Sequence, residues 1–346
     1  MLKEILTERG VPALKSREEM LDILQKEEYG YMPPKPEAIS FCECEFPFPN
    51  FCAGSATIKK ISITSTVRGK DFTFPVYVSI PTSEGKHPFF ICVNFRDNIP
   101  DQYIPIEEIV DQGFAVLSFN YEDVTTDDGD FTNGLAGTLY ENGSRGATDA
   151  GKIAIWAWAA QRVMDYALTL PELDANVACV CGHSRLGKTA LLCAATDERF
   201  KFAYSNDSGC SGAAISRDKR GERIRNIYRT FPFWFCEPYS KYMDNEAAQP
   251  FDQHYLIATI APRYVCVGSA ETDTWADPES EMLACVGASA AYEELGLDGF
   301  ISPDRFAEVG DAYFDGSIGY HLRRGSHFFS RHDWNKLIEF INLKIK

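Results

Sequence analysis

The sequence predicts an α/β fold with a mainly parallel central sheet and helices on both faces, and three observations point to it. Strand-like alternation in roughly the first eighty residues gives way to short, continuous apolar runs. Helical patterns separate those runs, the rhythm of buried parallel strands joined by crossover helices. One run, VACVCGHSRLGKTALL at 177–192, passes from an apolar strand through a glycine-bounded turn into a helix.

The elements follow in order. Residues 16–29 read as a helix that stops at Gly30, with Pro33 and Pro34 blocking its continuation. Segments 57–66 and 72–80 alternate in strand fashion and read as antiparallel strands feeding the sheet. Continuous apolar strands are expected at 89–93, 115–119, 177–181, 202–205, 264–267 and 319–322. Helices are expected at 150–168, 188–195, 252–260 and 282–295, with 333–343 closing the chain. No repeat or long Gly/Ser/Pro linker interrupts this pattern, so 1–346 reads as a single domain. Within it, 1–80 is an N-terminal helix and antiparallel strands, and 209–245 is a cap or pocket wall.

Composition narrows the function classes. The chain has 346 residues, 45% hydrophobic and 24% charged, enough for a sizeable core. A net charge of −16 argues against nucleic acid and anionic membranes as partners. The charged N-terminus has no apolar signal core, and none of the apolar runs reaches transmembrane length, so the chain is expected to be cytoplasmic. Of eleven cysteines, Cys92, Cys179, Cys181, Cys193, Cys266 and Cys285 fall in apolar patterns, where a thiol acts as a small hydrophobe. Cys42 and Cys44 are too closely spaced for a zinc pair and lack a second half. Neither a metal nor a cofactor is expected. The basic run Arg217, Lys219, Arg220, Arg223, Arg225 and Arg229 reads either as a solvated helix face or as a positive patch beside a site for an acidic ligand.

The turn after 177–181 carries two incompatible chemistries. Gly182–Thr189 fits the phosphate-binding pattern G-x-x-x-x-G-K-[ST]. The same residues place Ser184 at the tip of a strand–turn–helix, as in the nucleophile elbow of an α/β-hydrolase. Ser184 could also serve simply as the helix N-cap. Strand order favours the hydrolase, because roughly five strands precede the turn, whereas a phosphate loop usually follows the first. The nucleotide reading also lacks an apolar strand ending in a magnesium-binding aspartate; the stretch FAYSND is a poor candidate.

A serine nucleophile needs a histidine base held by a carboxylate. His327 follows the last expected strand in GYHLRRGSH and precedes the final helix, the best placed of six histidines. His321 and His332 read as structural or surface groups, His254 as packed or capping, and His87 as part of a turn. His183, next to the serine, reads as a pocket residue. Two acids compete for the third role: Asp207 after the strand that follows the nucleophile helix, and Asp273 after the next strand. Glu271 and Asp277 share the Asp273 loop, and Asp277 before Pro278 suits a helix cap. Oxyanion donors are expected from the Arg185 backbone and guanidinium, and from the Asn94–Phe95 loop.

At this point the sequence resembles a known family. G-H-S-R-L-G-K is similar to the G-C-S-R-x-G-K signature of glucuronoyl esterases of carbohydrate esterase family 15, especially the bacterial branch. The likeness continues through TDAGKIAIWAWAAQRVMDYA, SNDSGCSGAA, FPFWFCEPYSKY, PFDQHYLIATIAPR, SAETDTWADPESE and GYHLRRGSH, spanning roughly 145–335. It implies an α/β-hydrolase that cleaves esters of glucuronic acid through an acyl-enzyme, with Ser184 as nucleophile, His327 as base and Arg185 at the oxyanion. Lys188 and Trp275 would contact the sugar, and Trp234 of the W-F motif joins the substrate-binding candidates. The first acid position, a glutamate in the family, is here the shorter Asp207, which favours Asp273 as the acid with Asp207 as helper. Where fungal members use a glutamine and a glutamate upstream of the W-F motif, RIRNIYRTFPFWF offers arginine and isoleucine. Family members are typically secreted, so a cytoplasmic member points to short oligosaccharide esters. An acetyl (xylan) esterase is the alternative within the class. A P-loop nucleotide-binding protein and a non-catalytic carbohydrate-binding homologue are the alternatives outside it.

Overall fold

The computed structural model describes residues 1–46, 51–96 and 101–345. Among the described residues ten strands form one sheet: β1 (Ala38–Cys44), β2 (Ala56–Val67), β3 (Lys70–Pro81), β4 (His87–Asn94), β5 (Ala115–Asn120), β6 (Leu173–His183), β7 (Phe202–Asn206), β8 (Tyr264–Ala270), β9 (Ala312–Tyr313) and β10 (Ile318–Arg323). Their order is β1-β2-β3-β5-β4-β6-β7-β8-β10-β9. The β1–β2, β2–β3 and β3–β5 pairs and the β10–β9 edge are antiparallel, while β5, β4, β6, β7, β8 and β10 run parallel. This is the expected early antiparallel meander leading into a parallel sheet. The α-helices of the described residues are α1 (Leu2–Glu8), α2 (Arg17–Leu24), α3 (Ile106–Asp111), α4 (Gly134–Leu139), α5 (Lys152–Ala167), α6 (Arg185–Thr196), α7 (Ile224–Thr230), α8 (His254–Ala258), α9 (Pro278–Glu293) and α10 (Arg331–Lys344). Among the described residues no helix is long and apolar enough to cross a membrane.

The parallel strands are buried on both faces, so their alternate side chains enter two separate cores. Phe89, Ile91, Val93, Ala178 and Val180 join the larger core with α5, α6, α8 and α9. Phe90, Cys92, Cys179 and Cys181 join the smaller core, roofed by α3 and α10. The cysteines expected to act as small hydrophobes are all buried free thiols, and Cys92, Cys179, Cys181 and Cys266 share that smaller core.

Several local readings change. The expected helix 252–260 is only the five-residue α8, because Asp252 and Gln253 are turned inward to bond Ser216, Arg217 and Glu28. Helix α9 begins four residues before the expected 282: Pro278 fills its first turn, and Asp277 caps it by accepting the Ser280 N–H. Helix α2 passes into a π turn, Gln25–Tyr29, before Gly30. His87 lies in β4, with its ring bonded to the carbonyls of Gly113 and Ser83. Helix α1 and the short edge strand β9 were not anticipated, both being too short to show a period.

The basic run divides: Arg225 and Arg229 lie exposed on α7, as a solvated helix face would have them, and the cations before them are taken up by partners. Arg217 is buried against Asp252, and Lys219 donates to the carbonyls of Arg220 and Glu222. Arg220, Arg223 and Arg225 pair with Glu279, Glu246 and Asp244. Arg217, Arg220 and Arg223 thus tie the 209–245 segment to carboxylates at 246–279, while Arg225 pairs within the segment.

Candidate active site

The β6–α6 turn carries the serine on a strained backbone. Ser184 has φ 56° and ψ −126°, a left-handed conformation that costs a side-chain-bearing residue about 1–3 kcal/mol. The flanking glycines make room for it. A Cβ on Gly182 would lie 2.2 Å from the Leu186 carbonyl oxygen, and one on Gly187 would lie 2.9 Å from Ser205 Oγ. The Ser184 N–H donates to the Asn206 carbonyl at 2.8 Å, fastening the turn to β7. The hydroxyl makes no cap bond to the helix, so the N-cap reading fails. The phosphate-loop reading fails as well: Lys188 is 3% exposed and its Nζ donates inward to the Ser208 carbonyl. Burial pushes the Lys188 pKa down, against the opposing charge of Glu222.

Of the two acids, Asp273 meets the histidine. His327 Nδ1 and Asp273 Oδ2 are 2.6 Å apart, and Asp273 Oδ1 accepts the Ala276 N–H at 3.2 Å. Burial opposes ionisation of Asp273, but the bond to His327 and its charge outweigh that and hold the carboxyl below the ordinary range. Asp207 points elsewhere. Its Oδ1 accepts the Ala270 N–H at 2.8 Å, and its Oδ2 accepts from Arg323 Nη2 at 3.1 Å. Burial, reinforced by the charge of Glu281 and offset by Arg323, raises the Asp207 pKa well above the usual carboxylate range. Arg323 also bonds both oxygens of Asp333 and the carbonyls of Ser326 and Phe328, so Asp207 supports the loop that bears His327 from beneath.

Asp207, Asp273 and His327 bring ligand-type atoms within 4.8 Å of one another, the arrangement among the described residues nearest to a metal site. A cation there would compete with the Arg323–Asp207 pair and the His327–Asp273 bond, so the donors are already committed.

Arg185 is held by aromatic rings. Its guanidinium lies 4.7 Å from the Trp234 ring centre and 5.2 Å from that of Phe231, and these two rings stack at 3.9 Å. Nη1 is paired with Asp127, while Nε is buried without a hydrogen-bond partner. Asp127 also accepts from Trp234 Nε1 at 2.6 Å and from the Tyr121 hydroxyl at 3.0 Å.

These groups surround a cavity of about 340 Å³ lined by Ser184, Arg185, Lys188, Trp234, Asp207, Asp273 and His327, with Trp275 55% exposed. Two expectations need correction. His183 is 4% exposed and lines none of this cavity; it packs behind His327, with ring centres 4.4 Å apart. The Phe95 N–H, expected as an oxyanion donor, is taken by the Asn94 side chain at 2.9 Å. Sequence reasoning also missed Glu222 and Phe231 as lining residues and Asp127 as the anchor of Arg185. Glu222 sits among the arginines of 217–229, where it looks like an ordinary counter-charge, and Asp127 sits in TTDDGD, where it looks like any other turn acid.

Comparison with known proteins identifies the family. The family model described as "Glucuronyl esterase, fungi" matches residues 63–296. A carbohydrate esterase from an unknown prokaryotic organism is 41% identical over 237 residues, 68% of this chain and 54% of that protein, so the chain spans about half the length of that relative. The 4-O-methyl-glucuronoyl methylesterase of Schizophyllum commune is 28% identical over 81% of this chain and 68% of its own length. Among solved structures, a glucuronoyl esterase from Solibacter usitatus superposes with a TM-score of 0.87 at 31% identity, covering 96% of this chain and 93% of that one. A promiscuous esterase of carbohydrate esterase family 15 from a marine bacterial metagenome gives 0.85 at 31% identity, over 95% and 91%. The chain has the α/β-hydrolase fold and belongs to the glucuronoyl esterases of carbohydrate esterase family 15.

Proposed function

We propose that this protein is a serine esterase, in a single α/β-hydrolase domain, that cleaves alkyl or aryl esters of glucuronic acid in carbohydrate substrates. The observation that carries the reading is the 2.6 Å bond between His327 Nδ1 and Asp273 at a cavity into which the strained turn presents Ser184. Ser184 Oγ attacks the ester carbonyl as His327 Nε2 takes its proton, with Asp273 fixing the imidazole tautomer and stabilising the imidazolium. The tetrahedral oxyanion is met by the Arg185 N–H at the start of α6, with the Arg185 guanidinium at the cavity wall adding positive charge. His327 returns the proton to the departing alcohol, and water, activated the same way, releases the acid from the acyl-enzyme. Glu222 lines the cavity as an acceptor for sugar hydroxyls, Lys188 lies at its wall with one N–H held by the Ser208 carbonyl, and Trp275 offers an exposed ring at its rim.

The curated relatives are named for glucuronoyl methyl esters or carbohydrate esters, which supports the substrate class. A cavity of about 340 Å³ is suited to a whole sugar ring, more than an acetyl group requires. Cytoplasmic location is also our reading, supported by eleven unpaired cysteines of which only Cys42 and Cys44 are not buried. The test compares the wild type with Ser184→Ala on a benzyl ester of glucuronic acid and on an aryl acetate. Serine-dependent turnover of the glucuronate ester is expected. Turnover of acetate alone would replace the substrate assignment with acetylated sugars, and equal activity of the alanine variant would overturn the mechanism.

A further inference from the structure

His327 stands on a loop after β10 with its side chain 45% exposed, and one bond through Nδ1 does not by itself fix which way Nε2 points. The ring can still swing about the axis of that bond. One of its neighbours removes this freedom. The His183 ring lies 4.4 Å from that of His327, centre to centre, and is enclosed by Tyr103, Phe95 and Phe329 at 5.8, 6.2 and 6.4 Å. His183 Nδ1 is 2.7 Å from Asn206 Oδ1, and Asn206 is its register partner on β7. With the Asn206 amide oxygen turned to the ring, as placed here, His183 Nδ1 is the donor of this bond. The carbonyl of the same Asn206 receives the Ser184 N–H at 2.8 Å. One buried asparagine thus ties down the nucleophile's backbone and the ring behind the base.

We propose that His183 is a positioning residue: an imidazole locked by Asn206 that braces the face of the His327 ring and keeps its Nε2 directed at Ser184. The proposal rests on His327 being the base. The brace works only if it stays uncharged, since a second cation at this distance would oppose proton uptake by His327. Burial, with the neighbouring His327 charge, pushes the His183 pKa down to about 3, so it remains neutral through the working range.

The test measures kcat, KM and the pH profile of kcat/KM for the wild type, His183→Ala and His183→Phe. The alanine variant opens one face of His327 to water, which favours the imidazolium. We expect kcat to fall about tenfold or more, KM to stay within about twofold, and the acid limb of the profile to move to higher pH. Phenylalanine restores the cover and is expected to return both kcat and the limb towards wild type. The charged groups around His327 are unaltered in both variants: Asp273, Asp207 and Arg323 close by, and Arg185, Lys188 and Glu222 across the cavity.

An alanine variant with wild-type kcat and limb would overturn the proposal. So would a rise in KM at constant kcat, which is the signature of a substrate contact. Loss of kcat in both variants with no movement of the limb would reduce His183 to packing. Nitrogen-15 histidine spectra of the wild type test the lock without any substitution: His183 is expected as the Nδ1–H neutral tautomer between about pH 5 and 8, and titration within that range would overturn it. Activity that survives Ser184→Ala or His327→Ala would instead sink the esterase mechanism itself, so the two failures are distinguishable.

Discussion

Asp207 Oδ2 accepts from Arg323 Nη2 at 3.1 Å, and that pairing holds the carboxyl at the base of the histidine loop, near His327 but not hydrogen-bonded to it. Asp207 and Asp273 therefore do different work from adjacent strand ends.

Substitution by asparagine should separate the two. Asp273→Asn is expected to lower kcat by up to about 10⁴, because the amide cannot hold the same histidine tautomer. Asp207→Asn leaves the His327–Asp273 bond in place but removes one of the acceptors that the Ala270 N–H and Arg323 share, so the main loss is expected in stability, about 1–3 kcal/mol. Steady-state kinetics and denaturant melts on both variants check this. A larger kcat loss for Asp207→Asn would reverse the assignment.

Arg185 tests whether a forked cation is needed at the oxyanion. Its Nη1 is committed to Asp127 and its Nε points to no protein acceptor. Lysine, a point donor, cannot serve both places at once. Arg185→Lys is expected to reduce kcat roughly a hundredfold with little change in KM. Asp127→Asn, which loosens the anchor while leaving the donor in place, should reduce it less, and single-turnover kinetics would expose the opposite order.

Glu281 gives a pH signature. It accepts the Gly209 N–H at 2.8 Å and the Ser269 hydroxyl at 2.5 Å, and burial raises its pKa to about 7 despite those bonds. A carboxyl raised in the fold is protonated there while the unfolded chain ionises near about 4.3. Its favourable share is therefore present below that pH and is lost as pH rises through about 7. Glu281→Gln should accordingly gain stability relative to wild type on going from pH 5 to pH 8, by at most roughly 3 kcal/mol. Thermal melts at the two pH values read the difference, and a constant offset would show that Glu281 does not titrate there.

The elbow glycine is a steric test. An alanine Cβ at Gly187 would meet Ser205 Oγ at 2.9 Å and Ser208 Cβ at 3.0 Å. Gly187→Ala should cost about 1–3 kcal/mol and displace the Ser208 carbonyl that holds Lys188. KM is expected to rise along with the fall in melting temperature.

The fold and the reactive groups were legible in the sequence because each leaves a local mark. Continuous apolar strands reveal the parallel sheet, and a serine between Gly182 and Gly187 at a strand end reveals the elbow. His327 could be placed by its order in the chain alone. What was not legible depends on partners distant in sequence. Asp207 and Asp273 look alike until Arg323 is seen to occupy one of them. His183 looks like a pocket residue until its bond to Asn206 turns it inward. Arg217, Arg220, Arg223 and Arg225 look like a patch until their carboxylates arrive from 244–279. Short helices such as α1 leave too little periodicity to register.

The two-sided sheet has one further consequence. Cys92, Cys179, Cys181 and Cys266 lie beneath the layer that α3 and α10 provide, whereas Cys42 is exposed and Cys44 half-buried on β1. In the native protein a thiol reagent meets the β1 pair first. Each additional label then clocks a local opening, and labelling at the four sheet cysteines times the lifting of α3 or α10 from the molecule's thinner side. The protein thus carries its own unfolding stopwatch in residues that take no part in its chemistry.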